Sequence, residues 1–370
     1  MARVRVLILG GGVAGCATAL ELADRGAAVT VVDRDQPGTG ATGASAGILS
    51  PQYEAPGHGH AFRLQCESLA LWPGFAERLE GLTGWRVGHR ADGFLVANRS
   101  REEEDAAREA LAWQHELGLE GEILTPGEAR RVHSGVSLDL TSWVWLPREQ
   151  QVDSQRLAVA LADAVRGAGG TVLAGRPTAE ILTGSGRVTG ALLEDGTHLE
   201  ADRVVVAGGA WSPLLRGLPR PLPVRPVRGQ ILRLLPEEPP PWPLLADHKG
   251  RYLVPRENRT LLVGSTMEEV DYDDGVTDAA RAYLTEIAME LFPSLEGARV
   301  VERWAGLRPM TPDTQPVLGP DPALEGLVYA TGFGRNGILL APLAARAAAE
   351  LALEGSSTVD WRPWSVERFG

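Results

Sequence analysis

Lysine is all but missing from this 370-residue chain: Lys249 is the only one, and arginine carries nearly all the positive charge. Chemistry that runs through a Schiff base would rest on that one residue, which counts against pyridoxal-type mechanisms. Cysteine is scarce too. Cys16 and Cys66 are too few for a disulfide framework or a four-ligand zinc site, and they suit a reducing cytoplasm. Cys16 falls inside a predicted helix, where a small buried hydrophobe is the simplest role. No metal site is expected, because His58-Gly59-His60 offers two imidazoles on a loop with no third ligand. No apolar run approaches the roughly eighteen residues of a membrane span, so a soluble protein is expected. Arg3 and Arg5 ahead of Val6-Leu7-Ile8-Leu9 give the start of the chain a faint leader-like look. Three glycines at 10–12 interrupt that run, and a strand, a glycine turn and a helix explain the same letters better. The net charge of −12 leaves no broad basic surface for nucleic acid.

What is present is ordinary for a folded protein: 44% hydrophobic and 23% charged residues, in a chain long enough for two domains. A strand at 4–9, a helix at 13–25 and a strand at 28–32 form a β-α-β unit, since parallel strands need such a crossover. A helix near 61–80 and strands near 85–97 follow, then a helix opened by the solvated charge run Arg101-Glu102-Glu103-Glu104-Asp105. Asp153 reads as the N-cap of a helix through 166. Strands are expected at 171–173 and 204–206, with a hairpin turn at 184–186. Between about 220 and 310 the texture changes to short alternating strands, at 227–235, 251–255 and 260–265, and then a helix near 278–292. A strand at 327–330 and an alanine-rich helix at 338–353 come last. The simplest fold is an α/β nucleotide domain assembled from the discontinuous segments 1–83, 148–219 and 317–370. Segments 84–147 and 220–316 would then build an α+β, antiparallel-sheet substrate domain.

Gly10-Gly11-Gly12-Val13-Ala14-Gly15 fits the dinucleotide fingerprint, and it follows a strand, opens a helix and precedes an acid, Asp33, about twenty residues on. Gly10 permits the tight turn, Gly12 lets the backbone approach a pyrophosphate, and Gly15 lets helix and strand pack closely. The helix start offers N–H groups to phosphates, and Asp33 can accept from ribose hydroxyls. A glycine- and alanine-rich loop at 38–49 replaces the regular β-α-β continuation of a nicotinamide dehydrogenase. Small residues there suit a backbone lying against a large flat cofactor.

Longer motifs carry a resemblance. Thr42-Gly43-Ala44-Ser45-Ala46-Gly47-Ile48-Leu49, Tyr252-Leu253-Val254-Pro255-Arg256 and Val263-Gly264-Ser265-Thr266-Met267 are three of them. Trp304-Ala305-Gly306-Leu307-Arg308-Pro309 and Gly334-Arg335-Asn336-Gly337-Ile338-Leu339-Leu340-Ala341-Pro342 are the strongest. In these, from Val4 to about residue 361, the chain resembles the D-amino-acid oxidase superfamily of FAD enzymes, most of all glycine oxidase of the thiamine-biosynthesis type. The resemblance implies a Rossmann-type FAD-binding domain, a homo-oligomer, and a small amino acid and molecular oxygen as reactants; the cytoplasmic location expected from the two thiols is compatible with it. It implies flavin contacts at Val13, Ala14, Asp33, Arg34, Ala41 and Thr42, at Ala46, Gly47 and Ile48, at Thr178, and along Phe333, Gly334, Arg335, Asn336, Gly337, Ile338 and Leu339. Sarcosine oxidases of the superfamily attach flavin through a cysteine near the segment matching 304–312; none stands here, so non-covalent FAD is expected.

The same resemblance assigns the substrate carboxylate to Arg308, with Arg335 as a second arginine, Tyr252 as a hydroxyl partner, and Ile48 and Met267 as pocket walls. A guanidinium clamps a carboxylate through two parallel hydrogen bonds, fixing distance and orientation. From the residues alone, Arg308 before a proline reads as readily as a surface ion pair, Arg335 as an organiser of its loop, and Tyr252 as a core aromatic. Glycine oxidases tend to carry methionine where this chain has Ile48, and histidine just before the tyrosine where it has Gly250-Arg251. The expected reaction is oxidative deamination of glycine or another small amine to a 2-oxo acid, ammonia or amine, and hydrogen peroxide. A D-amino-acid or sarcosine oxidase, or a D-amino-acid dehydrogenase passing electrons to a quinone, is the alternative.

Overall fold

A computed structural model describes residues 3–54 and 57–370. Its first sheet has six strands, in the order Val317–Pro320, Leu327–Thr331, Arg203–Val206, Arg5–Leu9, Ala28–Val32 and Thr171–Leu173. All neighbours are parallel except the first pair. The strands from the start, the middle and the 327–331 region thus lie side by side, as the β-α-β pattern predicts. Their continuous Val/Ile/Leu runs are buried on both faces, which parallel sheets require. Helices Val13–Asp24, Ser154–Gly167 and Gly337–Glu354 pack on one face in a core with Val6, Ile8, Val205 and Val328.

The second sheet has eight strands, in the order Arg299–Met310, Arg225–Leu235, Leu261–Gly264, Tyr252–Pro255, Leu244–Asp247, Phe94–Asn98, Ser142–Leu146 and Glu122–Leu124. It is antiparallel except where Leu244–Asp247 meets Phe94–Asn98. Helix Asp278–Leu291 covers it through Leu284, Ile287, Ala288 and Leu291. A third sheet is a three-stranded meander, whose first turn places Ser185 and Gly186 at φ 53° and 79°. Both central residues left-handed is the signature of a two-residue hairpin, as expected at 184–186.

Two expectations shift. The helix near 61–80 runs over His60–Thr83 and ends where Gly84 turns left-handed at φ 74°. The strands near 85–97 shrink to Phe94–Asn98. Gly88 and Gly93 ahead of it sit at φ 66° and 81°, and a side chain on Gly93 would strike the Trp145 ring at 2.1 Å. Left-handed glycines break the extended backbone that the apolar pattern suggested. Helix Ser154–Gly167 does start on Asp153, whose carboxylate accepts from Gln155 N and Arg156 N.

Candidate active site

A single cavity of about 1110 Å³ runs from the glycine turn of the first sheet to the inner edge of the second. At one end Gly10 holds φ 117°, and a Cβ there would meet Ala207 O at 2.3 Å. Gly15 faces away from the cavity; a Cβ on it would lie 1.8 Å from Gly10 O, so it serves helix–strand packing. Asp33 lines the cavity with Gly12, Val13 and Ala14. Its carboxylate accepts from Gly11 N at 2.6 Å and Asp35 N at 2.9 Å, while burial raises its pKa. Thr178 stands at the same end. Arg34 lies over the Trp211 ring, 4.4 Å from its centroid.

The loop at 38–49 forms the middle wall. Thr42 ties it to the glycine turn by accepting from Val13 N at 2.9 Å. Four successive carbonyls of the loop are engaged by other segments. Ala44 O accepts from Trp304 Nε1, Ser45 O from Ser154 Oγ, Ala46 O from Arg256 Nη2 and Gly47 O from Val152 N, at 2.6–3.0 Å. Arg256 is buried for this purpose, and burial pushes its pKa down to about 10. Among the described residues, the N–H groups of Ala46 and Gly47 find no protein acceptor. With the carbonyls held elsewhere, the loop presents donors to the cavity. Gly47 is obligatory: it sits at φ 68°, and a Cβ would lie 1.9 Å from Val152 O.

At the far end the half-buried Arg308 donates to Ser265 Oγ at 2.5 Å and Thr266 O at 3.2 Å. Among the described residues it has no carboxylate partner. Burial lowers its pKa, and Arg335 acts in the same direction; Tyr252 and the more distant Glu54 charge act in the opposite one. Gly229 on the neighbouring strand leaves the room, since a Cβ there would lie 2.1 Å from Arg308 Nη1. Gly264 does the same for Tyr252, whose hydroxyl a Cβ would approach at 2.7 Å. A guanidinium partly withdrawn from water with no carboxylate in contact is costly, and an arriving carboxylate relieves the cost. Helix Gly337–Glu354 starts on this cavity with no side-chain cap, so its first N–H groups and positive dipole end point into it.

The cavity brings together Arg308, Arg335, Tyr252, Ile48, Phe333, Gly334, Asn336, Gly337 and Ile338, along with Ala41, Thr42, Ala46 and Gly47. Besides Gly15, it leaves out two expected residues. Met267 is 51% exposed outside the cavity, because the chain turns outward after Ser265 and Thr266 meet Arg308. Leu339 is buried in the helix, with its carbonyl accepting from Ser68 Oγ and Trp72 Nε1. Arg335 is present but engaged: it donates to both oxygens of Glu54, at 2.9 Å and 2.7 Å. Glu54, Ser265, Trp211 and Gly229 line the cavity without having been expected. Only Ser265 carried a signal, inside the Val263–Met267 motif.

The cavity is larger than the roughly 300–1,000 Å³ of a small-molecule site. Its glycine cradle, its free loop N–H groups and its uncapped helix start fit an elongated, anionic, aromatic cofactor. Comparison with known proteins agrees. A profile of the FAD dependent oxidoreductase family matches residues 5–351. The bifunctional protein ThiO/ThiG of Nostoc sp. is 36% identical over 361 residues, 95% of this chain and 53% of that one. The chain thus spans about half the length of the bifunctional relatives it matches. Glycine oxidase of Pseudomonas putida is 36% identical over 372 residues, with 98% of both chains covered. The crystal structure of glycine oxidase from Geobacillus kaustophilus superposes with a TM-score of 0.93 at 33% identity, again covering 98% of both chains.

Proposed function

The chain belongs to the family of FAD-dependent oxidoreductases, and from that premise we propose that it oxidises the C–N bond of glycine or a similarly small amino acid. The products are a 2-oxo acid, ammonia or amine, and hydrogen peroxide. The six-stranded sheet and its helices act as the Rossmann-type, FAD-binding part, built from segments 1–83, 148–219 and 317–370. Segments 84–147 and 220–316 carry the substrate sheet. Two free thiols suit the cytoplasm, and the link to thiamine biosynthesis is part of the same reading.

The observation that carries the proposal is Arg308, a half-buried cation with no carboxylate partner among the described residues, in the same cavity as the dinucleotide fingerprint. The glycine turn, Asp33, Thr42, the 44–47 loop and the 337 helix start would hold FAD. When bound, FAD supplies the two-electron oxidation of the substrate and passes the electrons to molecular oxygen. Arg308 clamps the substrate carboxylate, and Ser265 Oγ with Thr266 O fixes the plane of the guanidinium beforehand. Tyr252, buried beside it, has a hydroxyl free to donate to the same carboxylate. Ile48 closes the pocket with an apolar wall. The helix start at Gly337 stabilises negative charge that builds up beside it.

A peroxide-release screen tests the proposal. Glycine, sarcosine and D-alanine should be oxidised with oxygen as the only acceptor. A bulky D-amino acid better than glycine by about a hundredfold in kcat/KM would replace the glycine assignment with a D-amino-acid oxidase. Turnover only with an added quinone would make the protein a dehydrogenase.

A further inference from the structure

Arg335 and Arg308 line the same cavity, but only Arg335 carries a carboxylate partner among the described residues. Arg335 is spent: its Nε and Nη2 hold both oxygens of Glu54, at 2.9 Å and 2.7 Å. Burial opposes the charge on Arg335, yet Glu54, together with Tyr53 and Tyr252, outweighs it and the pKa ends above its ordinary value. Glu54 does not merely follow its partner. It closes the short helix Pro51–Glu54, which is fastened on both sides. Gln52 N donates to Glu149 Oε1 at 3.1 Å, the Gln52 amide to Gln114 Oε1 at 2.8 Å, and the Tyr53 hydroxyl to Asp247 O at 2.6 Å. Gly250, at φ 79°, gives Arg335 its space, for a Cβ would lie 2.5 Å from Nη1. The two partners are therefore brought together by two separately built elements.

We propose that Glu54 determines the substrate class of this pocket: by pairing with Arg335 it leaves Arg308 as the one cavity guanidinium, among the described residues, with no carboxylate in contact, and restricts the enzyme to amines bearing one carboxylate. The inference rests on the amino-acid oxidase reading, and in particular on Arg308 as the clamp. A second carboxylate on a substrate would have to displace Glu54 from a two-bond pair, gaining nothing net. Without Glu54, Arg335 becomes a second anion site facing the first. Dicarboxylic amines such as D-aspartate are then admitted.

The test uses FAD-loaded enzyme titrated without oxygen against acetate and malonate, acids with no oxidisable amine, followed by flavin absorbance. The parent should bind malonate no more tightly than acetate. Glu54→Gln should shift the preference toward malonate on the order of tenfold, as a guanidinium is freed for a charge-assisted pair. Arg335→Ala should weaken acetate by a similar factor, because the stranded Glu54 charge opposes it. The double variant E54Q/R335A should restore acetate to within about threefold of the parent. A double variant as weak as Arg335→Ala would show that Arg335 is itself a clamp, and would overturn the proposal. So would an unchanged preference in Glu54→Gln. A parent that itself prefers malonate by more than about tenfold overturns it with no variant at all. Glycine oxidation by the parent is read separately: its absence overturns the proposed function and leaves the two-acid comparison to judge Glu54.

Discussion

The difference between two arginines is a matter of single atoms. Arg335 has a carboxylate on its guanidinium, whereas Arg308 has a hydroxyl and a carbonyl, which orient it without neutralising it. Losing one partner of a buried charge pair typically costs about 2–5 kcal/mol. Arg308→Ala should therefore lower kcat/KM on the order of 30- to several-thousandfold, at about 1.4 kcal/mol per tenfold. Arg308→Lys should recover part of this, because an ammonium cannot reproduce the two-point fork. FAD content should stay near that of the parent, since the glycine turn and the 44–47 loop lie elsewhere. An alanine variant with full FAD and kcat/KM within about threefold of the parent would make Arg308 structural.

At the scale of elements, the segment carrying Ile48 and Glu54 is supported by a buried acid. Gln150–Gln151 pairs with Ile48–Leu49, and the preceding Glu149 accepts from Gln52 N at the start of helix Pro51–Glu54. Burial pushes the Glu149 carboxyl from an ordinary 4.5 up to about 8, against weaker lowering by Gln52 and Ser50. Cys66, which feels the Glu149 charge, is pushed up to about 12, first by burial and then by Glu149. A pKa raised on folding means that the folded state binds more protons between those two values. The stability Glu149 contributes is complete below about pH 4.5 and is lost as the pH rises through about 8. The thermal midpoint of the FAD-bound protein should fall between about pH 5 and about pH 9, and Glu149→Gln should fall less. An equal fall in both proteins would assign the slope to another group.

The whole molecule is built around the cavity between its two main sheets, and that gives the cofactor a role in folding as well as in chemistry. A ligand that binds only the folded state adds about 2.7 kcal/mol at a concentration about a hundredfold above Kd. Removing FAD should therefore lower the thermal midpoint, and adding it back should restore the value in a concentration-dependent way. Because no cysteine lies in 304–312, denaturation should release all the flavin. Yellow colour left on the precipitated chain would refute non-covalent binding. No helix among the described residues is long and apolar enough to cross a membrane.

What the sequence determined by itself was local. The β-α-β unit, the glycine fingerprint with Asp33, the Asp153 cap and the hairpin at 184–186 each lie within a few dozen residues, where backbone preference and hydrophobic period decide the outcome. Glycines at 84, 88 and 93 were legible as letters, but their left-handed φ was not, nor was the Trp145 ring that occupies the space beside Gly93. Tertiary structure alone decided which arginine is neutralised. Glu54 and Arg335 are 281 residues apart, and nothing in either local segment specifies the pair. The same holds for Gly229 making room for Arg308, and for the strand end that turns Met267 outward while keeping Ser265 inside. Charge compensation is a property of distance in space. It came into being only when the two sheets closed around one cavity.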